Sequence, residues 1–279
     1  LKKVAISGGA PVALCDIGVA MLGASWDSNG TIVYFDPASG IMRVSANGGT
    51  PESLVKGSLA DVTKKGFPIF PQMLPDGKTL LFTYAVGGDN NNNQIVVQSL
   101  QSGERKVLVK GGTNARYLPT GHIVYTLTSN NINNLFAVPF DLDELEVTGG
   151  SVSVLERVRV PAFSDSGTLV YVPQPAVAAG STSTTASGRT LVWVDRQGKE
   201  EALGAEPDAY ASPKISPDGT RVALTIETTG NDDIWIWDIP HKTPTKLTFD
   251  KADDSYPIWT PDGKRIVYRS LQGVGLGGV

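Results

Sequence analysis

Oxygen-rich side chains are concentrated in a few short stretches of the sequence, and these stretches are the first candidates for chemistry. Asp and Asn dominate in 89–93, 130–134, 231–233 and 250–254, and an Asp precedes a Tyr in 208–210. Carboxylate and amide oxygens are the ligands that Ca²⁺ prefers, and they also form hydrogen bonds with sugars and peptides. The candidate ligand-binding residues are Asp89, Asn91, Asn131, Asn133, Asp208, Tyr210, Asp232, Asp253, Asp254 and Tyr256.

The spacing of these residues does not match a metal-binding loop. No Asp-x-Asp-x-Asp-Gly sequence occurs, so we predict no metal site and no cofactor, with Ca²⁺ as the alternative. Asp and Asn are also common in turns that bind nothing, because their side chains form hydrogen bonds with the local backbone. A plain polar surface is therefore the competing interpretation of all ten candidates.

Groups suited to catalysis are scarce. The chain has two histidines and one cysteine, and both His122 and His241 fall in predicted turns. Neither a Gly-x-Ser-x-Gly elbow nor a His-Glu-x-x-His sequence occurs. The stretch 273–278 matches Gly-x-Gly-x-x-Gly, but no helix or acidic residue follows it, as dinucleotide binding requires. We predict no catalytic residues.

Charge and hydropathy exclude two classes of partner. The net charge is −4, so no general field attracts nucleic acid. No stretch approaches the roughly 18 apolar residues of a membrane-spanning helix, and the first residues lack the apolar core of a signal peptide. Since the chain begins at Leu1, we expect a processed product or a fragment of a longer protein, which other segments could tether to a membrane.

A repeat accounts for much of the content of 31 glycines and 18 prolines. Pro-Asp-Gly occurs at 75–77, 217–219 and 261–263, and degenerate copies precede three further glycines. The spacing between successive copies is 44 to 52 residues, which is typical of a four-stranded propeller blade. The turn glycines are Gly30, Gly77, Gly121, Gly167, Gly219 and Gly263.

The pattern around each turn predicts short antiparallel strands. In the best-kept copy these are 211–216, 221–227, 233–239 and 245–249. Residues 234–237 are apolar on both faces, as expected where blades stack face to face. The fold class is therefore all-β, a six-bladed β-propeller of four-stranded antiparallel blades.

The two ends of the chain complement each other. Residues 1–15 resemble 41–55, the back half of the first unit, whereas 257–270 form the front half of another. Together they predict a split closing blade with strands from both termini, and a single propeller domain over 1–279. The alternative is that both ends were cut from a longer array.

Two segments fall outside the repeat. Ser, Thr, Ala and Gly dominate 173–189, which we predict to be a mobile loop insertion, and 271–279 is expected to be a flexible end. In a propeller, the loops between blades open on the same face as the loops joining strands two and three. We therefore expect the candidate ligand-binding residues to share one loop-rich face.

The sequence resembles two groups of known propellers. Residues 256–268, which contain Trp-Thr-Pro-Asp-Gly, resemble the TolB-type WD40-like repeat. Residues 191–200 resemble more narrowly the C-terminal propeller of bacterial receptor-like serine/threonine kinases, although no kinase motif is present. This resemblance implies an extracytoplasmic location, in the periplasm or at the cell surface, and a role as a sensor or docking module.

The prediction for function is a non-catalytic binding or sensor module. It would use one loop-rich face to bind a protein, a peptide or a small ligand. The alternative is an enzyme, either a metal-dependent hydrolase or lyase, or the gating propeller of a serine peptidase. A metal ion held by side chains of several blades would favour the enzyme.

Overall fold

The computed structural model describes residues 1–18, 22–27, 29–61, 66–87, 92–129, 132–164, 169–174, 188–194, 199–228 and 231–271. Most of the predicted loop insertion, 175–187, and all but the first residue of the predicted flexible end lie outside the described residues, as does the predicted turn glycine Gly167. The described part is almost entirely β-strand, with one 3-10 helix at Leu59–Asp61.

The described residues contain twenty-five strands. The first thirteen are β1 (Lys2–Ala5), β2 (Val12–Ala13), β3 (Ala24–Trp26), β4 (Thr31–Asp36), β5 (Gly40–Ser45), β6 (Glu52–Lys56), β7 (Phe67–Met73), β8 (Thr79–Ala85), β9 (Gln94–Ser99), β10 (Arg105–Lys110), β11 (Thr113–Leu118), β12 (His122–Ser129) and β13 (Ile132–Asp141). The others are β14 (Glu146–Val147), β15 (Val152–Leu155), β16 (Val158–Phe163), β17 (Leu169–Pro173), β18 (Val192–Val194), β19 (Glu200–Ala202), β20 (Tyr210–Ile215), β21 (Arg221–Ile226), β22 (Asp233–Asp238), β23 (Thr243–Lys246), β24 (Asp254–Trp259) and β25 (Arg265–Ser270).

The strands form six antiparallel sheets, which confirms the predicted six-bladed propeller of four-stranded blades. A first unit, Leu14–Arg157, contains β3 to β6, β7 to β10 and β11 to β15, where β14 and β15 both pair with β13. A second unit, Leu1–Ala13 with Val158–Val279, contains β16 to β19, β20 to β23 and the sheet of order β2-β1-β25-β24.

The Pro-Asp-Gly turns close hairpins between the first and second strands of a sheet, as predicted. In one of them, Asp76 Oδ1 accepts hydrogen bonds from the backbone N–H groups of Lys78 and Thr79, both at 3.0 Å. Gly77 has φ 64°, a conformation that costs a residue with a side chain more than it costs glycine. The sequence of the turn therefore determines where β8 begins.

The predicted split blade is also confirmed. β1 pairs with β25 in the register Lys2 to Tyr268 and Val4 to Ile266. β24 begins at Asp254, three residues before the predicted start of this half blade. The extension arises because the backbone N–H of Asp254 donates to the carbonyl of Asp232 at 2.7 Å, which holds the chain beside the preceding sheet.

One predicted strand has different bounds. The fourth strand of the best-kept copy was expected at 245–249, but β23 is Thr243–Lys246. After Lys246 the chain turns towards β22, where Leu247 N donates to Ile234 O at 2.8 Å and Thr248 Oγ1 accepts from Ile234 N at 2.9 Å. Phe249 is left 76% exposed.

The first strand of several sheets contains a bulge that the sequence analysis did not predict. Phe70, Asn114, Ser212 and Tyr256 have φ between 48° and 56°, and the strand register shifts at each of them. A bulge bends its strand and leaves backbone groups outside the ladder. These four residues are therefore held in a costly conformation by the surrounding sheet.

The core of the second unit lies on both faces of the sheet β20 to β23. Val222 and Leu224 of β21 pack in one cluster with Val170 of β17. Ala223, on the opposite face of the same strand, packs in another cluster with Tyr268 of β25. The predicted burial of both faces is thus confirmed within this unit.

We expect the pairing of β1 with β25 to stabilise the protein measurably. Val4 is 2% exposed, so Val4→Ala should lower the free energy of unfolding by roughly 2 kcal/mol through lost apolar burial. Val12 in β2 is 56% exposed, and Val12→Ala should change it by less than about 0.5 kcal/mol. Urea unfolding followed by circular dichroism compares the two variants, and equal midpoints would contradict this account of the split blade.

Candidate functional site

A groove of about 690 Å³ lies along one face of the sheet β20 to β23 in the second unit. Trp235 and Trp237, alternate residues of β22, form its floor, since alternate residues of a strand face the same side. Tyr210 of β20 and Ile226 of β21 continue this surface. Glu206, Asp208, Lys242 and Lys246 carry charge at its rim.

The neighbouring sheet lies beside this face of β22. Within the described residues, its third and fourth strands, β18 and β19, span three residues each. Trp237 is buried to 6% exposure, whereas Trp235, two residues nearer the start of β22, remains half-buried. Part of the Trp235 indole surface is thus open to a ligand.

Two carboxylates and a phenol form one end of the groove. Tyr210 donates from its hydroxyl to the carbonyl of Glu206 at 2.6 Å. Burial raises the pKa of Tyr210, and the negative charges of Asp208 and Glu206 raise it further, so both carboxylates act on this hydroxyl. Within the part of the chain that the structure describes, neither carboxylate has an ion pair with a cation. This end carries uncompensated negative charge.

The lysines contribute differently to the rim. Lys246 Nζ lies 2.6 Å from Asp233 Oδ2, and the Asp233 side chain is only 8% exposed, so the two charges largely neutralise each other. Lys242 lies in the hairpin between β22 and β23, at the other end of the groove from Asp233. The groove is therefore polarised along β22, with its free negative charge near Tyr210.

Arg189 fixes the backbone at the acidic end. Its backbone pairs with that of Asp208 at 2.6 and 3.1 Å, and its guanidinium Nη1 donates to the carbonyl of Tyr210 at 2.8 Å. The same nitrogen lies 3.1 Å from Glu227 Oε2. Arg189 therefore holds the start of β20 in place. Its positive charge forms an ion pair with Glu227 and with no acidic residue of the groove lining.

Three further predicted site residues lie together beside this groove. Asp232 donates from its backbone N–H to Asp253 Oδ1 at 3.1 Å, and Asp254 donates to the Asp232 carbonyl. Burial raises the pKa of Asp232, and the negative charge of Asp253 adds to the effect. The stretches 231–233 and 250–254 thus lie together in the structure.

Asp254 is not presented at the surface. Its exposure is 0%, and burial raises its pKa to about 6. The hydroxyls of Ser270 and Thr248 lie beside the carboxylate and favour its charged form, but neither carboxylate oxygen accepts a hydrogen bond of good geometry from the described residues. Asp254 is therefore a destabilising buried acid and not an exposed ligand group.

The other candidates are placed as follows. Tyr256 lies in the bulge of β24, with the Arg269 guanidinium 5.0 Å from its ring centroid. Asn133 lies in the first unit, where its side-chain oxygen accepts a hydrogen bond from Thr128 at 2.8 Å. Asp89, Asn91 and Asn131 lie outside the described residues.

The described residues contain no group of three or more His, Cys, Asp or Glu side chains placed to hold a metal ion. His122 contacts the Thr120 carbonyl through Nδ1 at 3.0 Å, and His241 contacts Asp238 Oδ1 at 2.7 Å. Both histidines therefore make local turn contacts outside the groove.

The sequence analysis identified Asp208 and Tyr210 but missed the aromatic floor. Residues 234–237 were interpreted as buried on both faces, and the partly exposed Trp235 departs from this interpretation. The observation that could have indicated the groove is the shortness of the apolar run 191–194, which leaves too little strand to cover β22.

We expect Asp254→Asn to stabilise the protein at neutral pH and to have little effect near pH 4. The pKa is raised from its ordinary value of 3.8 to about 6, so the folded state binds more protons between these values and loses stability as the pH rises. The variant should be more stable by up to about 3 kcal/mol above pH 6. Urea unfolding of wild type and variant between pH 4 and pH 7 measures this difference in the free energy of unfolding, with the substitution of the exposed Asp143, Asp143→Asn, as control. A wild-type pH slope retained in Asp254→Asn would contradict the assignment.

No helix among the described residues is long and apolar enough to cross a membrane.

Comparisons with known proteins agree with the repeat. The family model of the TolB beta propeller domain matches residues 182–275. TolB from Acinetobacter baumannii is similar in structure, with 20% identity and a TM-score of 0.59 over 86% of this chain, which spans 58% of that protein.

Two further structures share the fold. A putative TolB from Agrobacterium tumefaciens has 14% identity and a TM-score of 0.69, with 96% of each chain covered. A gluconolactonase from Xanthomonas campestris also has 14% identity, with a TM-score of 0.63 over 92% of this chain and 85% of its own. The chain therefore has the β-propeller fold of these proteins, and its residues 182–275 match the TolB beta propeller domain.

Proposed function

We propose that this protein is a non-catalytic binding module and that its groove along β22 binds an extended peptide segment of a partner protein. The observation that carries the proposal is the partly exposed indole of Trp235 in the floor of a 690 Å³ groove. Exposed aromatic floors with a few polar rim groups are typical of binding sites. Trp is also enriched among the residues that dominate binding energy.

The length of the groove suits a peptide. Lining residues run from Asp233 at the start of β22 to Lys242 in the following hairpin. β22 has six residues, and at about 3.3 Å per residue it spans roughly 17 Å. About five residues of an extended peptide would cover this distance.

The charge of the groove favours a basic residue in that peptide. Glu206 and Asp208 have no cation paired with them in the described part of the chain, whereas Lys246 is already neutralised by Asp233. A Lys or Arg side chain near Tyr210 would supply the missing positive charge and could lie against an aromatic ring. Asp232 and Asp253, beside the groove, would add to the attraction.

The location and the wider role follow from the resemblance to TolB-type propellers. We infer an extracytoplasmic module, either free or tethered to the membrane by another part of a longer protein. A sensor role attached to a receptor-like kinase remains a prediction from residues 191–200.

The enzyme alternative has no observation in its favour. The likeness to the gluconolactonase, at 14% identity, shows a shared fold. The described residues that line the groove include no serine, cysteine or histidine that could act as a nucleophile or base.

Peptide titrations followed by tryptophan fluorescence test the proposal. Acetylated and amidated pentapeptides that contain one arginine should bind at least about tenfold more tightly than the same peptides with citrulline, because only arginine is charged. Trp235→Ala should weaken the binding of both sets, through loss of aromatic contact. If the affinity is the same for arginine and citrulline peptides and is unchanged in Trp235→Ala, the peptide site is overturned.

Matched charge variants separate the two parts of the proposal. Glu206→Gln combined with Asp208→Asn should remove the preference for arginine while leaving citrulline peptides bound. Glu201→Gln, an exposed position of β19 outside the groove lining, should leave the preference intact. If Glu201→Gln and the double variant reduce the preference equally, the charge would act through the general field and not through the groove.

A further inference from the structure

Arg116 occupies an unusual position in the first unit. It lies in β11 at the point where pairing with β12 resumes after the bulge, opposite Val124. Its Nη1 donates to the carbonyls of Phe70 and Ala115, both at 3.0 Å. Phe70 is itself the bulged residue of β7, so the guanidinium binds a carbonyl exposed by the bulge of the neighbouring sheet.

The charge of Arg116 has no counter-charge in the described part of the chain. No carboxylate lies within ion-pair distance of it among the described residues. Burial lowers its pKa to about 10, with no acidic neighbour to oppose the shift. Removing a guanidinium from water without an anion costs free energy that the two carbonyl contacts offset only in part.

Two of its nitrogens remain available. Nε and Nη2 donate no hydrogen bond to the described residues, and neither is among the fully buried donors without a partner, so each keeps some exposed surface. These two N–H groups form one planar edge of the guanidinium, which matches the two oxygens of a carboxylate. Since Nη1 is already fixed by Phe70 and Ala115, this edge is held in place before any ligand arrives.

The surrounding backbone is rigid enough to keep that edge in position. Gln72 of β7 accepts a hydrogen bond from the backbone N–H of Tyr117 at 2.8 Å and donates to its carbonyl at 3.3 Å. Asn114 N donates to Thr83 Oγ1 at 3.1 Å. Side-chain hydrogen bonds thus join β7, β8 and β11 on both sides of Arg116.

We propose that Arg116 forms a binding site for a carboxylate, which pairs in bidentate fashion with its Nε and Nη2 groups. A monoanion suits the site better than a phosphate dianion, because no other cation acts on this guanidinium. The proposal is independent of the peptide groove, which lies in the second unit.

Titration with sodium acetate, against sodium chloride at matched ionic strength, tests the site. The ¹H–¹⁵N resonance of the Arg116 Nε group, assigned by its loss in Arg116→Lys, should shift saturably with acetate. Inorganic phosphate should bind several-fold more weakly than acetate. An Nε resonance that moves no more with acetate than with chloride, or that prefers phosphate, would overturn the carboxylate site.

Variants supply a second measurement. Acetate should raise the melting temperature of the wild type above that in chloride, by linkage of binding to folding. Arg116→Lys keeps the charge but loses the planar edge, so its acetate affinity should fall about tenfold. Arg105→Gln is the control, because Arg105 donates to Gln98 and lies over the rings of Phe82 and Tyr84. An equal rise in melting temperature with acetate in wild type and Arg116→Lys would contradict the site. If a variant does not fold, the resonance titration of the wild type alone tests the proposal.

Discussion

The burial of both faces of the second strand in a sheet is the constraint on which the structure depends. In β21, Leu224 packs in one apolar cluster and Ala223 in the other. Neither face of this strand could be exposed to water without a loss of stability. A single sheet of this kind cannot be stable alone, since its apolar faces must be buried by neighbours. The same requirement makes the strand β1 essential, because Val4 packs in the cluster that covers Ala223.

The candidate site arises where this constraint is relaxed. Burial is nearly complete along β21 and becomes weaker towards the outer strand β23, and in the neighbouring sheet β18 and β19 span three residues each. Trp235 therefore keeps part of its indole exposed, although its neighbour Trp237 is buried. Exposing part of an indole costs some stability, and a ligand that covers it recovers this apolar burial as binding energy.

The sequence predicts those parts of the fold that depend on local chemistry. Pro-Asp-Gly predicts the hairpins because the Asp carboxylate and the glycine conformation act within four residues. The split blade follows from the repeat period. The bulges at Phe70 and Tyr256 could not be predicted, since a positive φ at a bulky residue is imposed by the packing of the sheet. The groove was missed for a similar reason, because exposure of Trp235 depends on the length of strands in another sheet.

The bulges also explain why equivalent positions carry different chemistry. Pairing resumes after the bulge at Gln72, Arg116, Lys214 and Ile258, so the backbone places these four side chains in the same way relative to their own sheets. The side-chain amide of Gln72 forms hydrogen bonds with both the N–H and the carbonyl of Tyr117. Arg116 donates hydrogen bonds to two carbonyls through Nη1 alone, so its Nε and Nη2 donors are not used by these contacts. The repeat sets the backbone at this position, but the side chain there differs from copy to copy and makes different contacts in each. Differences between copies at this position are therefore places where one blade of a propeller can acquire a specific ligand.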